Sequence, residues 1–240
     1  MRYPGGTARP AASSGIGAGV VVLWHDLVSR VAIAALVALA ACSTYVNGNG
    51  VYHEETRQVA PFVGIAVDLG IEATVEVGSV QSVRLSGDAN LVPDIETRVE
   101  AGILVTSTWL EGFDPALPLR LSVTIPYLQS ASAVGESHVQ VSGAAATVPF
   151  EASAFEGSEI HLSGAGGSQL DAALGGGSHL EATAYPVDAA TVEIGGGSAA
   201  ELRVAGAVTG NLHGGSDLQI YGGGSCSAVN EEGGSTCVER

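Results

Sequence analysis

Few residues in this chain could do chemistry: four histidines in the second half, a series of spaced carboxylates, and three cysteines. His138, His161, His179 and His213 raise the question of a metal, because neutral imidazole is a common ligand. They occupy unequal slots in the repeat described below, and none shows paired ligand spacing. They therefore read as solvent-facing strand residues, with no metal and no other cofactor assigned. The carboxylates Glu159, Asp171, Glu181, Glu201 and Asp217 fall at outward strand positions and are the candidate ligand-facing residues. Stacked strands would set like charges side by side, and a shared cation would relieve the repulsion. Calcium-roll repeats need Gly-Gly-x-Gly-x-Asp in tandem. The nearest approach here, His213 to Asp217, lacks the fourth-position Gly. A solvated acidic face that keeps the protein soluble is the simpler reading.

Nucleophilic and acid–base machinery is missing from the sequence. There is no Gly-x-Ser-x-Gly elbow despite 34 Gly. The glycine-rich stretches are followed by neither Lys nor a helical pattern, so they are not phosphate loops. A polysaccharide lyase needs a basic residue to abstract a proton, yet between residues 121 and 239 the only Lys or Arg is Arg203. A glycosidase needs two carboxylates facing each other across a sugar, usually beside aromatic platforms. After residue 125 the aromatics are only Tyr127, Phe150, Phe155, Tyr185 and Tyr221. No catalytic residue is assigned, and the chain reads as a non-enzyme.

The elements that position these residues are strands. From Arg57 to about residue 130, apolar residues alternate in Val63–Leu69, Ala73–Val77, Ser82–Ser86, Ile103–Ser107 and Leu119–Ile125, separated by Gly, Asp, Asn and Pro. Residues 131–240 are repetitive. Gly-Ser or a near variant recurs at Ser137, Ser158, Ser168, Ser178, Ser198, Ser216 and Ser235, at intervals of 21, 10, 10, 20, 18 and 19. Gly-Gly-Gly-Ser is intact at 175–178, 195–198 and 222–225. After six of these serines the second and fourth residues are apolar: Val139/Val141, Ile160/Leu162, Leu170/Ala172, Leu180/Ala182, Ala200/Leu202 and Leu218/Ile220. A two-residue alternation after each Gly turn, with a period near 20 and a half-period near 10, predicts a β-solenoid coil with two main strands.

The amino terminus reads as a targeting segment. Val31–Ala41 is an uninterrupted apolar run of 11 residues behind Arg30, too short to span a bilayer, which takes about 20. It ends in Leu39-Ala40-Ala41-Cys42, which resembles the bacterial lipobox. Residues 1–41 are thus expected to be a signal peptide with an over-long start, and Cys42 to be acylated, giving a palmitate-bearing anchor. Ser43 after the Cys points to the outer membrane. Residues 42–56 read as lipidated Cys and tether. Arg2, Arg9, Arg30 and Asp26 precede Cys42, so 24 acids and 6 Arg remain, net −18, with no Lys. Such a polyanion excludes nucleic acid as a partner. With Cys42 taken by lipid, Cys226 and Cys237 remain as an even pair in an oxidising compartment and are expected to form a disulfide that pins the last coil. The serine register puts Cys237 inward and Cys226 outward, so a register shift is required there.

The chain resembles the GIN-domain bacterial lipoproteins, the auto-transporter adhesin heads. The resemblance is carried by Arg57–Val67, Ile71–Gly78, Ser86–Leu91, Ile95–Val105 and Val123–Leu128, followed by the Gly-Ser repeats, and it covers about residues 55–238. It implies an all-β, right-handed parallel β-helix-like solenoid whose first half is 57–130 and whose repeat half is 131–240. It brings no catalytic residues. The function expected is a lipid-anchored envelope protein with an adhesin-like, non-catalytic domain that contacts an envelope or extracellular ligand. The alternatives are a glycan- or calcium-binding envelope module and, further off, a polysaccharide-active β-helix enzyme. Exposed aromatics would favour a glycan.

Overall fold

The computed structural model describes residues 45–146 and 148–240. The apolar run, Cys42 and the boundary of the signal segment lie outside them. The first half contains β1 (Tyr45–Asn47), β2 (Tyr52–Thr56), β3 (Gly64–Val67), β4 (Glu72–Val77), β5 (Ser82–Asp88), β6 (Ile95–Glu100), β7 (Ile103–Thr108), β8 (Gly112–Asp114) and β9 (Arg120–Ile125). The second contains β10 (Ser130–Ala133), β11 (His138–Ala146), β12 (Phe150–Ala154), β13 (Glu159–Leu174), β14 (His179–Ile194) and β15 (Ala199–Val204). It ends with β16 (Ala207–Leu212), β17 (Asp217–Tyr221), β18 (Ser225–Glu231) and β19 (Thr236–Glu239).

These strands build an all-β solenoid with two parallel ladders. One runs β7–β3–β10–β12, then through the second halves of β13 and β14 to β16 and β18. The other runs β9–β4–β11, then through the first halves of β13 and β14 to β15, β17 and β19. We call them face A and face B. Each coil gives one strand to each face. All twelve residues predicted inward by the serine register, from Val139 to Ile220, are buried.

The corner leading from face A to face B is nearly invariant. Two successive residues there have positive φ, as at Gly176 and Gly177 (69° and 76°) and Gly196 and Gly197 (65° and 73°). A Cβ on Gly196 would sit 2.9 Å from the Gly176 nitrogen, so corner backbone rests on corner backbone. The serine that closes each corner turns into the core. Ser137, Ser158, Ser178, Ser198, Ser216 and Ser235 are all buried. The N–H groups of Ser137, Ser158, Ser178 and Ser216 donate to the Oγ of the serine one coil on, at 3.0–3.3 Å. Ser178, Ser198 and Ser216 donate their own hydroxyls back to the carbonyls of Gly175, Gly195 and His213 at 2.8 Å. In the earlier coil Ile71 takes this slot, as the pairing of Glu72 with His138 requires.

Two motif assignments change. Ser168 is exposed and sits at the opposite corner, where the ladder of β13 and β14 shifts register between Ser163 and Gly167. Ser225 likewise opens β18 on face A, so the third Gly-Gly-Gly-Ser serves that other corner. Without Ser168, the serine spacing becomes 21, 20, 20, 18 and 19. The irregular corner absorbs the differences in length.

The first half departs from pure parallel pairing. β5 pairs antiparallel with both β2 and β9, and β6 with β7. β6 is the outer strand of face A, and its edge is charged. Arg98 pairs with Glu100 (2.6 Å) and Glu96 (3.5 Å), which discourages further strand addition. The hydrogen bond and charge of Glu100, then the charge of Glu96, raise the Arg98 pKa. Residues 42–56, expected as a tether, are not free along their length. Tyr45–Asn47 pairs with β8 and Tyr52–Thr56 pairs with β5.

Candidate functional site

Four of the five candidate carboxylates lie on face B, in two neighbouring columns of outward residues. One column reads Glu72, His138, Glu159, His179, Ala199, Asp217, Thr236. The other reads Thr74, Gln140, His161, Glu181, Glu201, Gln219. Asp171 is separate: it stands on face A between Glu151 and Thr191 and accepts a 2.6 Å hydrogen bond from Gln169.

His138, His161 and His179 interleave with these acids, whereas His213, expected on a strand, stands at a corner with Nδ1 3.6 Å from Glu193. His161 lies between Glu159 (Nε2, 2.7 Å) and Glu181 (Nδ1, 2.8 Å), and His138 Nε2 is 3.2 Å from Glu159. A protonated ring donates to both carboxylates and a neutral one to only one of them. Between Glu159 and Glu181 the neighbour is therefore an imidazole of the chain itself, in the place that a shared cation would take. Glu72 is bridged similarly by Arg120 at 2.9 Å. Among the described residues no group of three or more His, Cys, Asp or Glu is arranged to hold a metal ion.

Of the five aromatic residues after residue 125, two are committed to the core, Tyr127 and Tyr221 are half-buried, and Phe155 is exposed. Phe150 and Tyr185 are fully buried, with ring centroids 5.6 Å apart. Face A carries an open depression of about 370 Å³ lined by Glu151, Asp171, Thr191, Glu193 and Asn211. Glu151 and Asp171 are lateral neighbours on one sheet face, so they point the same way.

Cys226 and Cys237 are bridged, with Cα atoms 6.0 Å apart. The required shift is present. Ala207 pairs with Ser225 but Thr209 with Ala228, and Cys226 lies within that irregularity. Cys237 continues the inward column of Leu218. The bridge joins the last strand of face A to the last strand of face B and lies over the end of the core.

One site was not singled out from sequence. Asp88 is completely buried, and its carboxylate accepts from the N–H groups of Gly50 (2.6 Å) and Leu117 (2.9 Å). Asn90 accepts from the Asn49 N–H and donates to the Asn47 carbonyl, both at 2.9 Å. Together they clasp the segment between β1 and β2 to the first half. The sequence signal was the Ser86–Leu91 motif, noted for resemblance but not for this role.

A two-ladder β-solenoid with solid coils and columned polar faces defines the class. Residues 61–224 match the family described as "Putative auto-transporter adhesin, head GIN domain", and the chain belongs to that family. The disulfide lies just beyond the matched residues. No curated protein sequence matches the chain significantly. Among solved structures it is similar to a "putative adhesin" from Bacteroides fragilis, with TM-score 0.64 and 12% identity, over 80% of this chain and 98% of that one. It is also similar to a "putative lipid binding protein" from Parabacteroides distasonis, with TM-score 0.49 and 12% identity, over 82% and 99%. At such identity the first shares the fold.

Proposed function

We propose that this protein is a non-catalytic, adhesin-like module of the cell envelope, anchored through an acylated Cys42 and held at the outer membrane. Family membership supports the adhesin part. The observation that carries it furthest is the continuous register of outward residues on face B, where Gln140, His161, Glu181, Glu201 and Gln219 stand in one unbroken polar column from coil to coil. Such a face offers repeated weak contacts along its length, and clustering of anchored copies would turn these into useful affinity. With Phe150 and Tyr185 buried, the repeat half is left with Phe155 exposed and Tyr221 half-buried, fewer aromatics than an extended glycan platform would use.

The test compares cell or matrix adhesion of single molecules with that of vesicles displaying many copies. Vesicles are expected to bind detectably where monomers do not. Glu159→Gln, Glu181→Gln and Glu201→Gln together should alter vesicle adhesion while leaving the circular dichroism spectrum and unfolding midpoint unchanged. Robust turnover of a polysaccharide or ester, lost on a single carboxylate substitution, would replace this reading with an enzymatic one.

A further inference from the structure

The folded body begins three residues after Cys42. Tyr45 is already in β1, paired with Gly112, and the following segment is held by Asp88 and Asn90. Three residues reach about 10 Å at most. A lipid on Cys42 would therefore hold Tyr45 within that distance of the acylated residue, with its strand partner Gly112 beside it.

The side chains presented there are suited to that zone. Tyr45 and Trp109 are each 60% exposed, which is unusual in a chain only 5% aromatic. Gly112 lets the Tyr45 ring lie against β8: an added Cβ would come within 2.8 Å of the ring. Trp109 precedes Gly112, the strand partner of Tyr45, by three residues and so lies within about 11 Å of it along the chain. Tyr and Trp favour the headgroup level of a bilayer, where the ring is sheltered and the polar atom stays wet.

We propose that Tyr45 and Trp109 form a membrane-interface contact, so that the bilayer holding the acyl chains of Cys42 also binds the folded body. The proposal rests on the acylation of Cys42. Anchoring makes the contact intramolecular, so even a weak affinity is sufficient. The exposed carboxylates Glu111 and Asp114 in the same stretch suit zwitterionic lipid and oppose anionic lipid.

Trp109 reports on its own position. Cleavage before Cys42 removes Trp24, leaving Trp109 as the single tryptophan. The acylated protein, purified from membranes, is placed in phosphatidylcholine vesicles whose chains are brominated near the headgroup. Trp109 emission should shift to the blue and fall about two-fold relative to unbrominated vesicles, as expected for a ring at the interface. Adding phosphatidylglycerol or substituting Tyr45→Ser should reduce the quenching. Protein with acyl chains confirmed by mass spectrometry that floats with the vesicles but keeps unquenched, unshifted Trp109 emission overturns the contact and leaves the anchor standing. Protein that carries no acyl chain overturns both.

Discussion

Asp88 shows how a single side chain can organise a region that local patterning does not reach. Its carboxylate satisfies the Gly50 and Leu117 N–H groups, which are 38 and 29 residues away in sequence. Asp88→Ala leaves both donors without their acceptor and should cost about 2–3 kcal/mol, since hydrogen bonds to charged groups are worth more than neutral ones. Denaturant unfolding followed by circular dichroism would measure it. The serines give a sharper contrast because the residue type is constant. Ser198 Oγ accepts from the Ser178 N–H and donates to the Gly195 carbonyl, whereas Ser168 faces solvent. Ser198→Ala should therefore destabilise by about 1–2 kcal/mol and Ser168→Ala by less than about 0.5 kcal/mol. Cys42 belongs to this scale as well. Cys42→Ala should abolish palmitate labelling and release the protein from membranes, and unchanged membrane retention would refute the anchor.

At the scale of elements, the coil is a corner and two strands, and its weak points are the corners and the last turn. Glu156 has φ 58° at a corner position where the following coils use Gly, and its side chain is exposed. A non-glycine residue in the left-handed region is strained by about 1 kcal/mol, partly offset by the greater freedom glycine has when unfolded. Glu156→Gly should raise the unfolding midpoint slightly, while Gly196→Val, crowding the corner above it, should lower it. The disulfide closes the final coil with a sequence separation of 11 residues. Loop-entropy reasoning assigns it about 2–3 kcal/mol. Non-reducing peptide mapping should recover Cys226 linked to Cys237. Replacing both by Ala should speed amide exchange first in β18 and β19, leaving β11 to β14 protected, because each coil rests mainly on its immediate neighbours.

Across the whole molecule, stacking similar coils converts local outward positions into long columns, and function depends on which residues become neighbours there. The core was legible from sequence because strand alternation is a local property. Given the turn-closing serines, the second and fourth following positions had to face inward, and each of them from Val139 to Ile220 is buried; only after Ser235, in the last coil, are they half-buried Cys237 and exposed Glu239. The need for a register shift at Cys226 was legible for the same reason. Which serine occupies which corner was not, because Ser168 and Ser178 carry the same Gly-Ser signature and only the ladder pairing separates them. Nor was the contact of His161 with Glu159 and Glu181, since Glu181 lies 20 residues away and becomes a neighbour only through the pairing of β13 with β14. The antiparallel β2–β5 pair and the Asp88 clasp were hidden likewise, joining segments tens of residues apart without a repeat to announce them. Periodicity, read residue by residue, determined what faces inward. Tertiary structure decided what touches what, because strand register and corner identity depend on the free energy of the assembled stack.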